Sequence, residues 1–167
     1  MTVIIGIDPG SRVTGYGVVR MVRNRAEFVA CGCIRLGDGS LDQRLVQLYD
    51  ELSAVIAEFR PDEAAIERVF MSRNADSALK LGHARGVAIL ALRRAGNPVF
   101  EYSATQTKQA IVGRWHADKV QVQHMVRTLL GLDVTPAADA ADALAAAICH
   151  GHTRASLVHL ARAGARA

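Results

Sequence analysis

The chain opens on an apolar run that ends in an acid, Val3-Ile4-Ile5-Gly6-Ile7 followed by Asp8-Pro9-Gly10. A strand this uniformly apolar reads as buried on both faces, so everything else must be arranged to cover it. Its last residue is the anomaly. Asp8 either opens the Asp8-Pro9-Gly10 turn, a common place for aspartate, or has partners that make a carboxylate tolerable at the end of a buried strand. Gly6 lies two positions earlier on the same face and leaves space beside that carboxylate.

At 167 residues and 50% hydrophobic content, the expectation is one globular domain, residues 1–150, with a single core. Residues 151–167 are expected to form a basic tail, as a short helix or disordered. Three arginines and no acid fall between His152 and Ala167. No apolar run is long enough to cross a bilayer, and Met1 leads into the first strand without the basic and apolar regions of a signal peptide, so the expectation is a cytoplasmic protein without a membrane partner. Cys31, Cys33 and Cys149 contain no CxxC pair, which supports neither a disulfide framework nor a structural zinc site. Charge is divided unevenly: 8 Lys/Arg against 10 Asp/Glu up to Phe70, then 12 against 6 from Met71 onward. A basic second half suits a polyanionic partner and also an ordinary solvated face.

Val13–Val22 and Ala26–Leu36 read as strands joined by a tight turn, giving an antiparallel meander with the opening strand. Ser40 and Gln43 form a capping box for a helix striped by Leu41, Leu45, Leu48, Leu52, Val55, Ile56 and Phe59 and stopped by Pro61. A strand over 63–70 repeats the oddity of the first, an apolar run interrupted by Glu67. Returning after a helical crossover, it can lie parallel to and beside the opening strand, next to Asp8. A helix over 74–95 is apolar on more than one face, which calls for either dense internal packing or a second subunit. A short strand, Val99–Tyr102, precedes helices ending at Val112 and Leu130. Between these helices Trp115 sits in a basic linker with Arg114, Lys108 and Lys119 nearby, suited to stacking on a base or to anchoring the loop. A last helix begins near Pro136 and is expected to end at Gly151 as its cap. Its Asp139 and Asp142 share one face, and the alanines around them allow close approach to a sheet.

Asp8, Glu67, Asp139 and Asp142 thus lie on three elements that can meet at one sheet edge. Clustered carboxylates raise one another's pKa unless cations neutralise them. Oxygen-only ligands favour Mg2+ or Mn2+, and a pair of such ions serves in-line displacement at phosphorus. With a basic surround and no Gly-Lys phosphate loop, the pattern points to phosphodiester hydrolysis.

Ile7-Asp8-Pro9-Gly10 with Thr14-Gly15-Tyr16-Gly17, Ile66-Glu67-Arg68-Val69-Phe70, the stretch Asn74 to Gly82, and Ala138 to Ala145 together resemble the bacterial RuvC family of Holliday junction resolvases, over almost the whole chain up to His150. The resemblance implies an α/β, RNase H-like fold, with a central mixed five-stranded sheet and helices on both faces. It implies a homodimeric, Mg2+-dependent endonuclease that nicks a four-way DNA junction symmetrically, leaves ligatable 5′-phosphate ends and serves recombination and repair. Two Mg2+ per site, with Mn2+ able to substitute, would be held by Asp8, Glu67, Asp139 and Asp142. Lys108 and Lys119 match basic residues near the scissile phosphate, and Phe70 matches an aromatic that stacks on an unpaired base. Arg73, Asn74, Lys80, Arg114 and Trp115 are expected to add DNA contacts. The branch-migration proteins RuvA and RuvB are the partners the resemblance implies. The opening motif also resembles the first phosphate loop of actin-like ATPases, which need a second domain.

Overall fold

The computed structural model describes residues 1–68, 74–114 and 116–164, and side chains up to residue 156. Phe70, Arg73 and Trp115, all expected to touch DNA, lie outside the described residues. In chain order the elements are β1 (Thr2–Asp8), β2 (Val13–Val22), β3 (Arg25–Arg35), α1 (Leu41–Phe59), β4 (Glu63–Glu67), α2 (Ala75–Arg94), β5 (Val99–Tyr102), α3 (Ala104–Val112), α4 (Lys119–Leu130) and α5 (Ala138–Gly164).

The sheet runs β3-β2-β1-β4-β5. Strands β1, β2 and β3 form the antiparallel meander. The crossover through α1 brings β4 back parallel to β1, and α2 carries the chain to β5, again parallel. Strand alternation then sorts the core into two layers. Ile5, Ile7, Val18 and Ile66 face α1 and α2, where Leu48, Leu52, Ala84, Ala88 and Leu92 cover them. Ile4, Val19 and Met21 face the other way, beneath Val122, Val126, Leu144 and Ile148. The opening strand is therefore covered on both faces, and helices lie on both sides of the sheet.

The helix boundaries follow local chemistry. The capping box at Ser40 closes with Gln43, and two more form at Ser103 with Gln106 and at Asp118 with Gln121. Each satisfies backbone donors that a helix start leaves unpaired. Gly113 and Gly131 end α3 and α4 in the left-handed conformation. The last helix departs from expectation. It does not stop at Gly151 but runs on to Gly164. The glycine there makes room for the sheet, since a Cβ at Gly151 would lie 2.5 Å from the sulfur of Met21.

Helix α2 is less enclosed than its composition suggests. Ala84, Ala88, Ala91 and Leu92 bury one side, while Leu79 and Leu90 stand 65% and 52% exposed on the outside. No helix among the described residues is long and apolar enough to cross a membrane.

Candidate active site

A track of glycines decides where α5 lies. Gly6 and Gly17 are register partners, as are Asp8 and Gly15, and their missing side chains open a trough along β1 and β2. The helix backbone fills it. A Cβ on Gly6 would lie 1.9 Å from the Ala143 carbonyl oxygen, one on Gly15 2.0 Å from the Asp139 carbonyl oxygen, and one on Gly17 2.6 Å from the Leu144 nitrogen. Ala140, Ala143 and Ala147 keep the helix side of the contact small and are buried. The first turn of α5, with Asp139 and Asp142, therefore sits directly over the end of β1 that carries Asp8.

The parallel register brings in the fourth acid. Ile7 pairs with Ile66, so Asp8 and Glu67 follow side by side at the ends of their strands. Both turn toward α5, since Ile7 and Ile66 pack on the opposite layer. Glu67 is also held from behind: Arg85 donates from Nε to its carbonyl oxygen at 3.2 Å, and the same guanidinium pairs with Glu101 at 2.8 Å. Sequence reasoning missed this brace, because nothing local links residues 67, 85 and 101.

Crowding has a direct electrostatic consequence. Burial, then the charges of Glu67, Asp142 and Asp139, push the Asp8 carboxyl up to about 8. Burial and Asp142 also raise Glu67, and burial raises Asp142. Lys119 opposes all three shifts, and Lys108 opposes those of Glu67 and Asp142. Lys119 forms an ion pair with Asp142 at 3.4 Å, and that carboxylate in turn raises the lysine's own pKa. Both lysines expected beside the reaction centre thus face the acids.

Among the described residues, no three acidic, histidine or cysteine side chains are drawn together as a ready metal cage. The donor chemistry nonetheless suits a hard divalent ion: the acids offer oxygen alone, and a carboxyl pushed to about 8 by burial and then by its acidic neighbours is one whose charged form a cation would stabilise. Asp8, Glu67, Asp139 and Asp142 are the residues that fit that role.

The other expected DNA contacts are placed differently. Asn74 caps α2 by accepting from the Ser77 N–H at 3.2 Å, and Lys80 pairs with Asp76 one turn away at 2.5 Å. Arg114 lines a cavity of about 520 Å³ with Gly113, His116, Ala117 and Gln121. Cys33 is a neighbour that the sequence alone does not place at the site. It pairs with Gly15, and its thiol is raised by burial and then by Asp139. Strand alternation puts Cys31 and Cys33 on one face, but only the β2–β3 register reveals which face that is.

A family model described as crossover junction endodeoxyribonuclease RuvC matches residues 4–150. Relatives of that name include those of Aeromonas salmonicida, 63% identical over 96% of this chain and 93% of the relative, and of Tolumonas auensis, 56% identical over the same shares. Among solved structures, Thermus thermophilus RuvC in complex with a Holliday junction substrate superposes with a TM-score of 0.87 at 34% identity, covering 93% of this chain and 96% of that one. The yeast mitochondrial Holliday junction resolvase, at a TM-score of 0.68 and 14% identity over 93% and 82%, shares the fold. The architecture is that of the RNase H-like resolvases.

Proposed function

The chain belongs to the crossover junction endodeoxyribonuclease RuvC family, and we propose that it resolves four-way DNA junctions by metal-assisted hydrolysis at the carboxylates on β1, β4 and α5. The observation that carries the mechanism is Asp8: an acid raised to about 8, first by burial and then by Glu67, Asp142 and Asp139, is a costly arrangement that a cation relieves. Asp8, Glu67, Asp139 and Asp142 would hold two Mg2+, or Mn2+ in their place. When bound, these cations supply Lewis-acid activation and charge neutralisation for in-line displacement at phosphorus.

The chain's own residues do the rest. The glycine trough keeps Asp139 and Asp142 over Asp8, and the Arg85 brace holds the Glu67 backbone, so the donors are placed before substrate arrives. The Asp8 carboxyl gives up its proton as the site is charged. Lys119, paired with Asp142 yet 67% exposed, swings its ammonium to a phosphate oxygen, and Lys108 adds a second positive charge. Water adds across the phosphodiester: its oxygen bonds to phosphorus, the bond to O3′ breaks, and O3′ takes up a proton. The products are a 5′-phosphate and a 3′-hydroxyl that a ligase can rejoin.

Symmetric paired nicks need two such sites. The exposed Leu79 and Leu90 on the outer side of α2 support a homodimer through that helix. Phe70, Arg73, Asn74, Lys80, Arg114 and Trp115 form the wider DNA surface, with Phe70 stacking on an unpaired base. Residues 1–150 are the nuclease unit and 151–167 a basic extension. The setting is cytoplasmic recombination and repair, beside RuvA and RuvB.

The test is a synthetic mobile four-way junction incubated with Mg2+ and wild type, Asp8→Asn or Glu67→Gln. Wild type is expected to leave paired symmetric nicks, while both variants bind the junction without cutting it. Equal cutting by the variants would remove the acids from the mechanism.

A further inference from the structure

Arg44 is a buried cation that the reaction does not use. It lies in the first turn of α1 at 8% exposure, and among the described residues no carboxylate pairs with it. Its Nη1 donates to the carbonyl oxygen of Ser11 at 2.8 Å, and its buried Nε has no partner. Taking a guanidinium out of water for one neutral acceptor is unfavourable, and an apolar side chain of similar length would bury at lower cost. What the arrangement secures is a position.

Ser11 belongs to the turn that follows Asp8. The backbone there is held from three directions. The Thr14 hydroxyl, itself fully buried, donates to the Gly10 carbonyl at 3.1 Å and accepts from the Gly10 N–H at 3.3 Å. Leu36 N–H donates to the Arg12 carbonyl at 2.9 Å. Arg44 supplies the only one of these anchors that ties the turn to a helix. Its own base is fixed, because the Ser40 capping box sets the start of α1 and the Arg44 N–H donates to the Ser40 carbonyl at 3.1 Å. Pro9, with its fixed φ, transmits the constraint from Ser11 back toward Asp8.

We infer that Arg44 is a positioning residue for Asp8, fixing the turn through the Ser11 carbonyl and thereby the carboxylate that ends β1. This rests on the reading of Asp8 as a metal-holding acid given above. The test compares wild type with Arg44→Met, which keeps the length without the charge, and Arg44→Lys, which keeps the charge without the fork. Three quantities are read: melting temperature, Mn2+ binding to the free protein by electron paramagnetic resonance, and single-turnover junction cleavage. Arg44→Met is expected to melt no lower than wild type, to bind the junction equally well, to need severalfold more Mn2+ and to cleave about tenfold to a hundredfold slower, the loss typical of a misplaced group. Arg44→Lys is expected to fall between. Wild-type Mn2+ binding and rate in Arg44→Met overturn the inference. Should that variant fail to fold, Arg44→Lys decides: weaker Mn2+ binding at unchanged melting temperature supports positioning, and losses that only follow unfolding overturn it. If wild type leaves junctions intact, the proposed reaction fails, while the Mn2+ measurements still decide the role of Arg44.

Discussion

Gly15→Ala adds one methyl group and removes no functional atom, yet it is expected to disable the site. The new Cβ would lie 2.0 Å from the Asp139 carbonyl oxygen and 2.3 Å from its carbon. An ordinary contact needs about 3.5 Å, so α5 must lift by about 1.5 Å or β2 must sink by as much. The clashing atoms are helix backbone and cannot rotate aside. Overpacking of this kind costs about 1–3 kcal/mol, measured as the shift in urea midpoint at constant slope. The displacement also carries Asp139 and Asp142 away from Asp8, and a displacement of about 1 Å in a catalytic group costs about a hundredfold in rate. The assay is single-turnover junction cleavage at saturating enzyme, run beside Gly37→Ala. That control adds the same methyl in the loop before α1, where nothing lies within 4 Å, and should change stability by no more than about 0.5 kcal/mol with its rate unchanged. Wild-type stability and rate in Gly15→Ala would refute the claim that the glycine trough places the acids.

Asp8→Asn should be inactive but more stable in metal-free buffer. With its folded pKa raised from 3.8 to about 8, Asp8 favours folding most below pH 3.8 and loses that contribution as pH rises through 8. At pH 7 the difference sets a ceiling of about 4 kcal/mol, of which about 1–3 should appear after solvent screening; urea unfolding in EDTA at pH 7 measures it, and a less stable variant contradicts the crowding. His150 acts in the opposite direction. It donates from Nε2 to Glu63 at 2.8 Å and accepts at Nδ1 from the Tyr102 hydroxyl at 2.7 Å; burial outweighs the Glu63 carboxylate and lowers its pKa below 6.5, so the ring is neutral in the fold. As pH falls below 6.5 the unfolded chain takes up a proton that the folded chain refuses, and stability should drop until the folded pKa is reached. The melting temperature of wild type relative to His150→Asn, followed from pH 7 to 5, shows this drop free of the opposing Asp8 trend, and a difference that does not change with pH refutes the neutral ring. Junction affinity should fall steeply with salt, as phosphate contacts release counterions; a flat response in a filter-binding series would contradict a basic DNA face.

Much of this protein is local in origin, and that part was legible in its residues. The capping box at Ser40 announces its helix because the chemistry of a helix start spans only three residues. The apolar run ending at Asp8 and its echo at Glu67 announce two buried strands, and the likeness of the motifs around all four acids to one family named the reaction. Trp115 and Phe70 stay as the sequence presents them. Gly151 shows the limit: its composition signals a helix end, but the approach of Met21 makes it a contact point inside a longer helix.

What the tertiary structure alone decided is how the acids meet. Residues 8, 67 and 139 are far apart in the chain, and their convergence comes from a parallel register across a crossover and from missing side chains on Gly6, Gly15 and Gly17 that admit α5. Arg44 against Ser11, Arg85 behind Glu67 and Cys33 beside Asp139 are contacts of the same kind. None leaves a periodic or short-range signal, because each is set by which faces the packed layers bring together rather than by the residues next to it in sequence.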